Sequence, residues 1–389
     1  MKLEQPQRTC PVCRSGDGVE VLHTQEFVLA AGHILPEKYD VVACGACGFV
    51  YADAAASQRT FDEYYARMSK YEGDYAGEDA AMFADRAAWI RAVAGDSQAA
   101  IIDVGCGNGE LLLELQNLGF SDLFALDPST ECIRAIREQG IDGHVGSLLA
   151  TPPTRRFDGL ILSGVLEHLW DVSGGMQAVS SMLKPNGCLF VFVPDASRYV
   201  DYDAVPYDYF NIEHVNHFDE VSLISMGLFH GFGVIELRKT EVALAHTRQP
   251  VIYCAYRKSV GRVCDSRSHS ADAVRRYVAQ TGSRRRVDAI IRGLLASNER
   301  VIVWGAGNYT SRLLATSDLG KCDIVCFVDN DRHKQGALVA GRPIVAPGGI
   351  AGLEEDVTIL VAAAVFHEEI VAEVEAMGLE NRVVVLNEQ

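Results

Sequence analysis

The chain has 389 residues, 48% of them hydrophobic, which is enough apolar material for more than one packed core and excludes a disordered chain. Its 52 acidic residues against 35 basic ones give a net charge of −17, a field that opposes nonspecific holding of a nucleic-acid backbone. Small molecules, sugars among them, are the expected partners. No charged start leads into an apolar signal core and no apolar run approaches the length of a membrane span, so the expectation is a cytoplasmic protein with no membrane contact.

The first motif is a pair of pairs, Cys10-Pro11-Val12-Cys13 and Cys44-Gly45-Ala46-Cys47, with strand-like pieces such as Tyr39–Ala43 between them. In a reducing compartment 11 cysteines read as thiols and ligands rather than as a disulfide framework. Four thiolates in two CxxC pairs can converge tetrahedrally on Zn2+, and such a closed shell leaves no open position for substrate, so the expected role is structural. Four free thiols are the competing reading. The tyrosine-rich residues 61–75 are expected to be helical, and Ala80–Val93 reads as an amphipathic helix.

From Ala99 short apolar runs alternate with helical segments. Strands are expected at Ala100–Val104, Leu123–Leu126, Gly159–Ser163, Cys188–Val193, Gly233–Arg238 and Pro250–Arg257, which predicts a mostly parallel sheet covered by helices on both faces. The first strand runs into Asp103-Val104-Gly105-Cys106-Gly107-Asn108-Gly109, a glycine turn that lets backbone approach a ligand closely. The next strand ends in Asp127, placed to accept hydrogen bonds from ribose hydroxyls. Cys106, inside the turn, reads as a small packing residue.

Past the strand ending at Val193, where an open α/β sheet opens its crevice, comes Tyr207-Asp208-Tyr209-Phe210-Asn211-Ile212-Glu213-His214-Val215-Asn216-His217-Phe218. It is dense in groups that bind or move protons. Capping or packing of the helix expected at Asp219–Gly231 is the alternative use of His214 and His217. Residues 260–298 carry apolar positions at helical spacing, with Arg284-Arg285-Arg286 on a solvated face. A second alternating unit begins at Arg300-Val301-Ile302-Val303-Trp304-Gly305-Ala306-Gly307, continues through Ile324–Asp329 and ends at Val383–Leu386. Its loop has no third glycine, so dinucleotide binding there is the minor reading and a structural, substrate-covering role the major one.

The glycine turn, Asp127, Gly164-Val165-Leu166-Glu167-His168-Leu169 and Leu183-Lys184-Pro185-Asn186-Gly187 together resemble class I methyltransferases, with Asn186 where that family usually has glycine. The full order of motifs resembles the sugar C-methyltransferases that act on nucleotide-linked keto-deoxysugars; Trp304-Gly305-Ala306-Gly307, Phe327-Val328-Asp329, Lys334-Gln335-Gly336 and Gly341-Arg342-Pro343-Ile344 extend the match. The resemblance implies an α/β fold with four parts: a zinc-binding domain at residues 1–60, a class I methyltransferase Rossmann-like sheet at 61–258, a helical connector at 259–298 and a C-terminal Rossmann-like domain at 299–389. It implies S-adenosyl-L-methionine as methyl donor, held by Asp103, Gly105, Gly107, Asn108, Gly109 and Asp127, with Cys10, Cys13, Cys44 and Cys47 on Zn2+. His214, paired with Glu213, would be the general base and His168 the histidine beside the cofactor; His168, Asn211 or a tyrosine would steady the enolate oxygen. Asn211 stands where the family commonly has tyrosine, which leaves Tyr209, Tyr64, Tyr65, Tyr71 and Tyr75 as possible sources of a phenol. O- or N-methylation of a sugar or small metabolite, and a non-catalytic nucleotide-sugar-binding protein, are the alternatives.

Overall fold

The computed structural model describes residues 2–3, 5–67, 80–202, 205–244, 247–258, 267–282, 285–352, 354, 356–363 and 366–387. By contact the chain divides into two compact units. Met1–Leu22, Val41–Tyr202 and Glu213–Arg276 form the first; His23–Asp40, Asp203–Ile212 and Tyr277–Gln389 form the second. Among the described residues no helix is long and apolar enough to cross a membrane.

The chain opens with strands β1 (Lys2–Leu3), β2 (Val19–Glu26), β3 (Lys38–Cys44) and β4 (Val50–Asp53), neighbours in that order within one sheet. Helix α1 (Gln58–Arg67) covers the first part of the tyrosine-rich stretch, and Tyr71 and Tyr75 lie outside the described residues. Helix α2 (Ala80–Ala94) follows, at the place its sequence pattern marks.

The large sheet of the first unit begins with β5 (Ile101–Val104), α3 (Glu110–Asn117), β6 (Leu123–Asp127), α4 (Thr130–Glu138) and β7 (Asp142–Val145). It continues with β8 (Phe157–Ser163), a 3-10 turn at Leu166–His168, α5 (Val172–Met182) and β9 (Leu183–Pro194). After the two-residue β10 (Asn216–His217) come α6 (Glu220–Phe229), β11 (Phe232–Leu244) and β12 (Thr247–Lys258). The seven strands lie in the order β11-β12-β9-β8-β5-β6-β7; β9, β8, β5, β6 and β7 are mutually parallel, and the β11–β12 hairpin joins β9 antiparallel along one edge. This is the class I methyltransferase sheet. Every residue of β5 is buried, because helices cover both faces; Ile101, Ile102 and Val104 are the apolar residues such a strand needs, and Asp103 is the one polar exception. β7, sequence Asp-Gly-His-Val, escapes detection by pattern because it is a polar edge strand with no buried residue. Asn186 takes a φ of +66°, the left-handed conformation that glycine adopts freely and asparagine tolerates, which accounts for the replacement in that turn. β10 belongs to the N-terminal sheet, where Asn216 pairs with Tyr51 and His217 with Val50 of β4.

Helices α7 (Ser270–Thr281) and α8 (Arg285–Ser297) occupy the expected helical stretch, with Arg285 and Arg286 exposed and Arg284 outside the described residues. The second unit then builds β13 (Arg300–Trp304), α9 (Asn308–Thr316), β14 (Asp323–Val328), β15 (Leu338–Val339), β16 (Arg342–Val345), β17 (Thr358–Val361), α10 (His367–Ala376) and β18 (Val383–Val385). Its six strands run β15-β16-β14-β13-β17-β18, parallel except for the β15–β16 hairpin. The result is a second Rossmann-like layer. Val301, Val303, Leu313 and Phe327 sit in its core with Val287 and Ile291 of α8.

Candidate active site and metal centre

The strands of the large sheet deliver Asp103 and Asp127 to the edge of a cavity of about 530 Å3. Between them the glycine turn passes into α3. Gly105 and Gly109 have φ of +69° and +86°, and a Cβ would strike Val165 at 2.8 Å and Ile136 at 2.7 Å, so both conformation and space call for glycine. The carboxylate of Asp127 braces the turn: Oδ2 accepts the Gly107 N–H at 3.0 Å and Oδ1 the Ser129 N–H at 2.8 Å. Asp103, Gly105, Gly107, Asn108 and Asp127 all line the cavity; Gly109 does not, and serves as the αL residue that starts α3.

A residue that sequence reading did not single out stands in the same cavity. Arg86, from α2, is buried, donates to Ser163 Oγ at 2.8 Å and lies over the Phe192 ring at 5.1 Å. Its only sequence signal is a cation in the middle of an alanine-rich helix whose other arginine, Arg91, lies in the last turn. Around it are Asp103, whose carboxyl burial and the charge of Asp127 push up to about 8, and Glu167, which burial pushes up to about 7. The positive charge of Arg86 opposes both shifts. Asp103 Oδ1, Glu167 Oε2 and Arg86 Nε have no hydrogen-bond partner among the described residues. Buried polar atoms left this way are costly, and a ligand with both cationic and anionic groups and a ribose suits such a lining. The donor set therefore fits S-adenosyl-L-methionine.

His168 and His214 line the cavity too, with ring centroids 4.8 Å apart in an edge-on arrangement. The 3-10 turn positions His168, and its Nδ1 lies 2.9 Å from Tyr65 Oη and 3.1 Å from the Glu213 carbonyl oxygen. Tyr65 lines the cavity, while Tyr64, its neighbour on α1, donates to Glu213 Oε1 at 2.7 Å. Glu213 itself is buried behind the lining. The Val215 N–H donates to the Glu167 carbonyl at 2.9 Å, tying the histidine segment to the turn that carries His168. The remaining residues of the expected cluster go elsewhere. Asn211 belongs to the second unit, where its carbonyl accepts the Tyr39 hydroxyl at 2.7 Å, and it is not among the cavity-lining residues. Tyr209 packs on Tyr277. His217 is fully buried, 3.3 Å from Tyr199 Oη, and burial followed by the charge of Arg8 pulls it down to about 3, so it stays neutral in the core.

The four cysteines of the N-terminal pairs bring their sulfurs within 4.8 Å of one another, with Cys10–Cys47 and Cys13–Cys44 each at 3.6 Å. Sulfurs at the corners of a tetrahedron around zinc, about 2.3 Å from the metal, stand about 3.8 Å apart, so the set fits Zn2+. Both pairs form the same turn. The Arg14 N–H returns to the Cys10 carbonyl and the Gly48 N–H to that of Cys44, each at 2.9 Å, and Arg14 and Gly48 both have positive φ.

Residues 79–237 match the family described as a methyltransferase domain. Residues 297–385 match a second family, described as C2185-like, N-terminal. The chain is 28% identical over 209 residues to the C-methyltransferase NovU of Streptomyces niveus, a match covering 50% of this chain and 49% of that one. It is 33% identical over 102 residues to the mitochondrial ubiquinone biosynthesis O-methyltransferase of Homo sapiens, covering 23% of this chain and 27% of the relative. The chain thus spans about half the length, or less, of these curated relatives. Among solved structures, the 1,6-didemethyltoxoflavin-N1-methyltransferase of Burkholderia thailandensis is similar with a TM-score of 0.41 at 16% identity, over 56% of this chain and 97% of that one.

Proposed function

We propose that the protein is an S-adenosyl-L-methionine-dependent C-methyltransferase of a nucleotide-linked keto-deoxysugar, working in the cytoplasm. One observation carries the reading: the paired imidazoles of His168 and His214 stand in the same cavity as the glycine turn, Asp127 and Arg86. In this reading residues 1–60 hold a structural zinc, 61–258 perform the transfer, 259–298 connect, and 299–389 cover the substrate. When bound, S-adenosyl-L-methionine supplies an electrophilic methyl group. The protein then has to align a nucleophile and manage one proton. His214 takes the proton from the carbon next to the substrate ketone. His168, oriented by Tyr65 and the Glu213 carbonyl, and Tyr65 itself are within the cavity to donate to the developing enolate oxygen. Tyr65 supplies the phenol that Asn211 cannot. Glu213 acts through Tyr64 and the backbone, and Asn211, which does not line the cavity, is given no part in the transfer. The similarity to a C-methyltransferase named as such supports carbon as the acceptor.

The similarity to ubiquinone O-methyltransferases favours a second reading, in which the same histidine deprotonates a hydroxyl. Incubation with methyl-labelled S-adenosyl-L-methionine and a panel of nucleotide-linked 4-keto-6-deoxysugars, followed by carbon NMR of the products, separates the two. A label on carbon supports the proposal; a label on oxygen or nitrogen, or no transfer to any of the panel, overturns it.

A further inference from the structure

Arg8 lies two residues before the first cysteine of the metal cluster, in a stretch with no regular secondary structure. Its side chain is nevertheless buried, and its guanidinium gathers oxygens from three separate parts of the first unit. Nη1 donates to the Val215 carbonyl at 3.0 Å and the Ala52 carbonyl at 3.5 Å. Nη2 donates to the carbonyls of Leu169, at 3.3 Å, and Trp170, and to Asn216 Oδ1 at 3.0 Å. The Trp170 ring covers the cation at 4.3 Å. The backbone of Arg8 is held as well: its N–H donates to Asp53 Oδ1 at 2.8 Å, and its carbonyl accepts the Tyr51 hydroxyl at 3.2 Å.

The acceptors are not scattered. Leu169 directly follows His168, and Val215 directly follows His214. Asn216, bound by the guanidinium through its oxygen, uses its amide nitrogen to donate to the carbonyls of Leu166 and Leu169 at 2.9 and 2.8 Å. Arg8 and Asn216 thus brace the two segments that carry the cavity histidines against each other. The other side of the brace is the cluster: Cys10 fixes the chain two residues after Arg8, and Cys47 leads into β4, which supplies Tyr51, Ala52 and Asp53. A desolvated guanidinium bound to carbonyls in fixed directions transmits position sharply, because its planar donors tolerate little misalignment.

We propose that Arg8 is a positioning residue for the His168–His214 pair, and that through it occupancy of the four-cysteine cluster sets the orientation of both imidazoles. The inference rests on the proposed catalytic role of these histidines, but the coupling itself is a structural property that can be measured without any sugar substrate. The glycine turn and Asp127 make no contact with Arg8 in this network, so the donor site should be spared. A displacement of the base by about 1 Å would cost roughly 10²-fold in kcat.

The test uses full-length protein labelled with 13C and 15N at histidine, with its metal content measured. Ring resonances of His168 and His214 are followed in wild type before and after chelation and zinc return, and in R8M and R8K. Affinity for S-adenosylhomocysteine is measured in each sample. The expected result is that chelation and R8M both shift the His168 and His214 resonances in the same direction while S-adenosylhomocysteine affinity stays within about twofold. Zinc restores the wild type but not R8M. R8K, which keeps the charge but cannot reach the same set of acceptors, falls between, and it is the deciding variant if R8M fails to fold. Resonances unmoved in R8K or after zinc loss overturn the coupling. So does an equal loss of S-adenosylhomocysteine affinity in every altered sample, which would mark Arg8 as a general structural residue. Failure to methylate any sugar would instead overturn the proposed function and leave these readings intact.

Discussion

Two glycine turns in this chain are built alike and stand in different surroundings. After β5, Asp127 at the end of the next strand accepts the Gly107 N–H at 3.0 Å; after β13, Asp329, which follows β14, accepts the Ala306 N–H at 2.8 Å. Each aspartate also caps its own chain two residues on, Asp127 at Ser129 and Asp329 at Asp331. The difference lies beside them. Asp127 lines the large cavity with Arg86 and Asp103, whereas Asp329 is met by the ammonium of Lys334 at 3.1 Å. A glycine turn with an acidic partner is therefore a way of bracing a strand–helix junction first. Whether it holds a nucleoside depends on the charges and space around it.

The largest effect that would sharpen this contrast is at the base. His214→Ala should leave donor affinity intact and lower turnover by about 10²- to 10⁴-fold, measured by methyl transfer to the sugar identified in the panel; unchanged turnover would remove His214 from the mechanism. Next come the two aspartates. Asp127→Ala should weaken S-adenosyl-L-methionine binding by roughly 10- to 100-fold in titration calorimetry, through loss of a charged hydrogen-bond acceptor and of the turn it braces.

A third measurement concerns pH. Asp103 and Glu167 are pushed up to about 8 and about 7, so at pH 6 both carboxyls hold protons in the ligand-free protein. A cationic ligand favours their ionised forms, so binding releases protons and affinity should rise with pH, by about tenfold between pH 6 and 8. A flat calorimetric profile would separate these carboxyls from the donor site. The same shifts act on folding in the opposite direction. Because the folded-state values lie above the unfolded ones, the folded chain holds the extra protons from about pH 4 to 8, and ligand-free stability falls as pH rises across that window. Asp103→Asn should accordingly melt higher than wild type at pH 8 without ligand, and bind the donor more weakly. The smallest effect belongs to the second turn: Asp329→Ala should leave donor affinity within twofold and cost about 1 kcal/mol of stability, the usual worth of a turn hydrogen bond. Donor binding that fell with Asp329 would erase the contrast.

Much of the fold could be read in the chain because its central strands are covered on both faces. Ile101-Ile102 and Val104 in one strand and Leu160-Ile161-Leu162 in another are buried apolar positions, and such strands alternating with helices leave few arrangements open. β7 was hidden because its four residues are polar or small and none is buried. The site is less evenly legible. The glycine turn and Asp127 are local in sequence and can be recognised together. Arg86 comes from a helix whose pattern suggests only packing, and the tie between Tyr65 and His168 joins residues 103 positions apart. Asn211 and His217 are close in sequence to His214 yet face other surroundings, since β10 turns His217 into the core two positions after Val215. Proximity along the chain is a poor guide to proximity in a cavity when a strand intervenes.

That short strand bears on where a functional unit ends. The segment matching the methyltransferase domain runs over residues 79–237 and contains β10, whose pairing partner β4 lies outside it. Cut at those limits, the chain would keep its glycine turn but lose the strand that aligns Asn216 and His217, the tyrosines of α1 and the guanidinium that gathers the carbonyls of Leu169, Trp170 and Val215. Recombining such a segment with a foreign N-terminus would transplant the donor pocket without the geometry that aims it. The β4–β10 pairing and the contacts of Arg8 with Leu169, Val215 and Asn216 all cross the start of the matched segment.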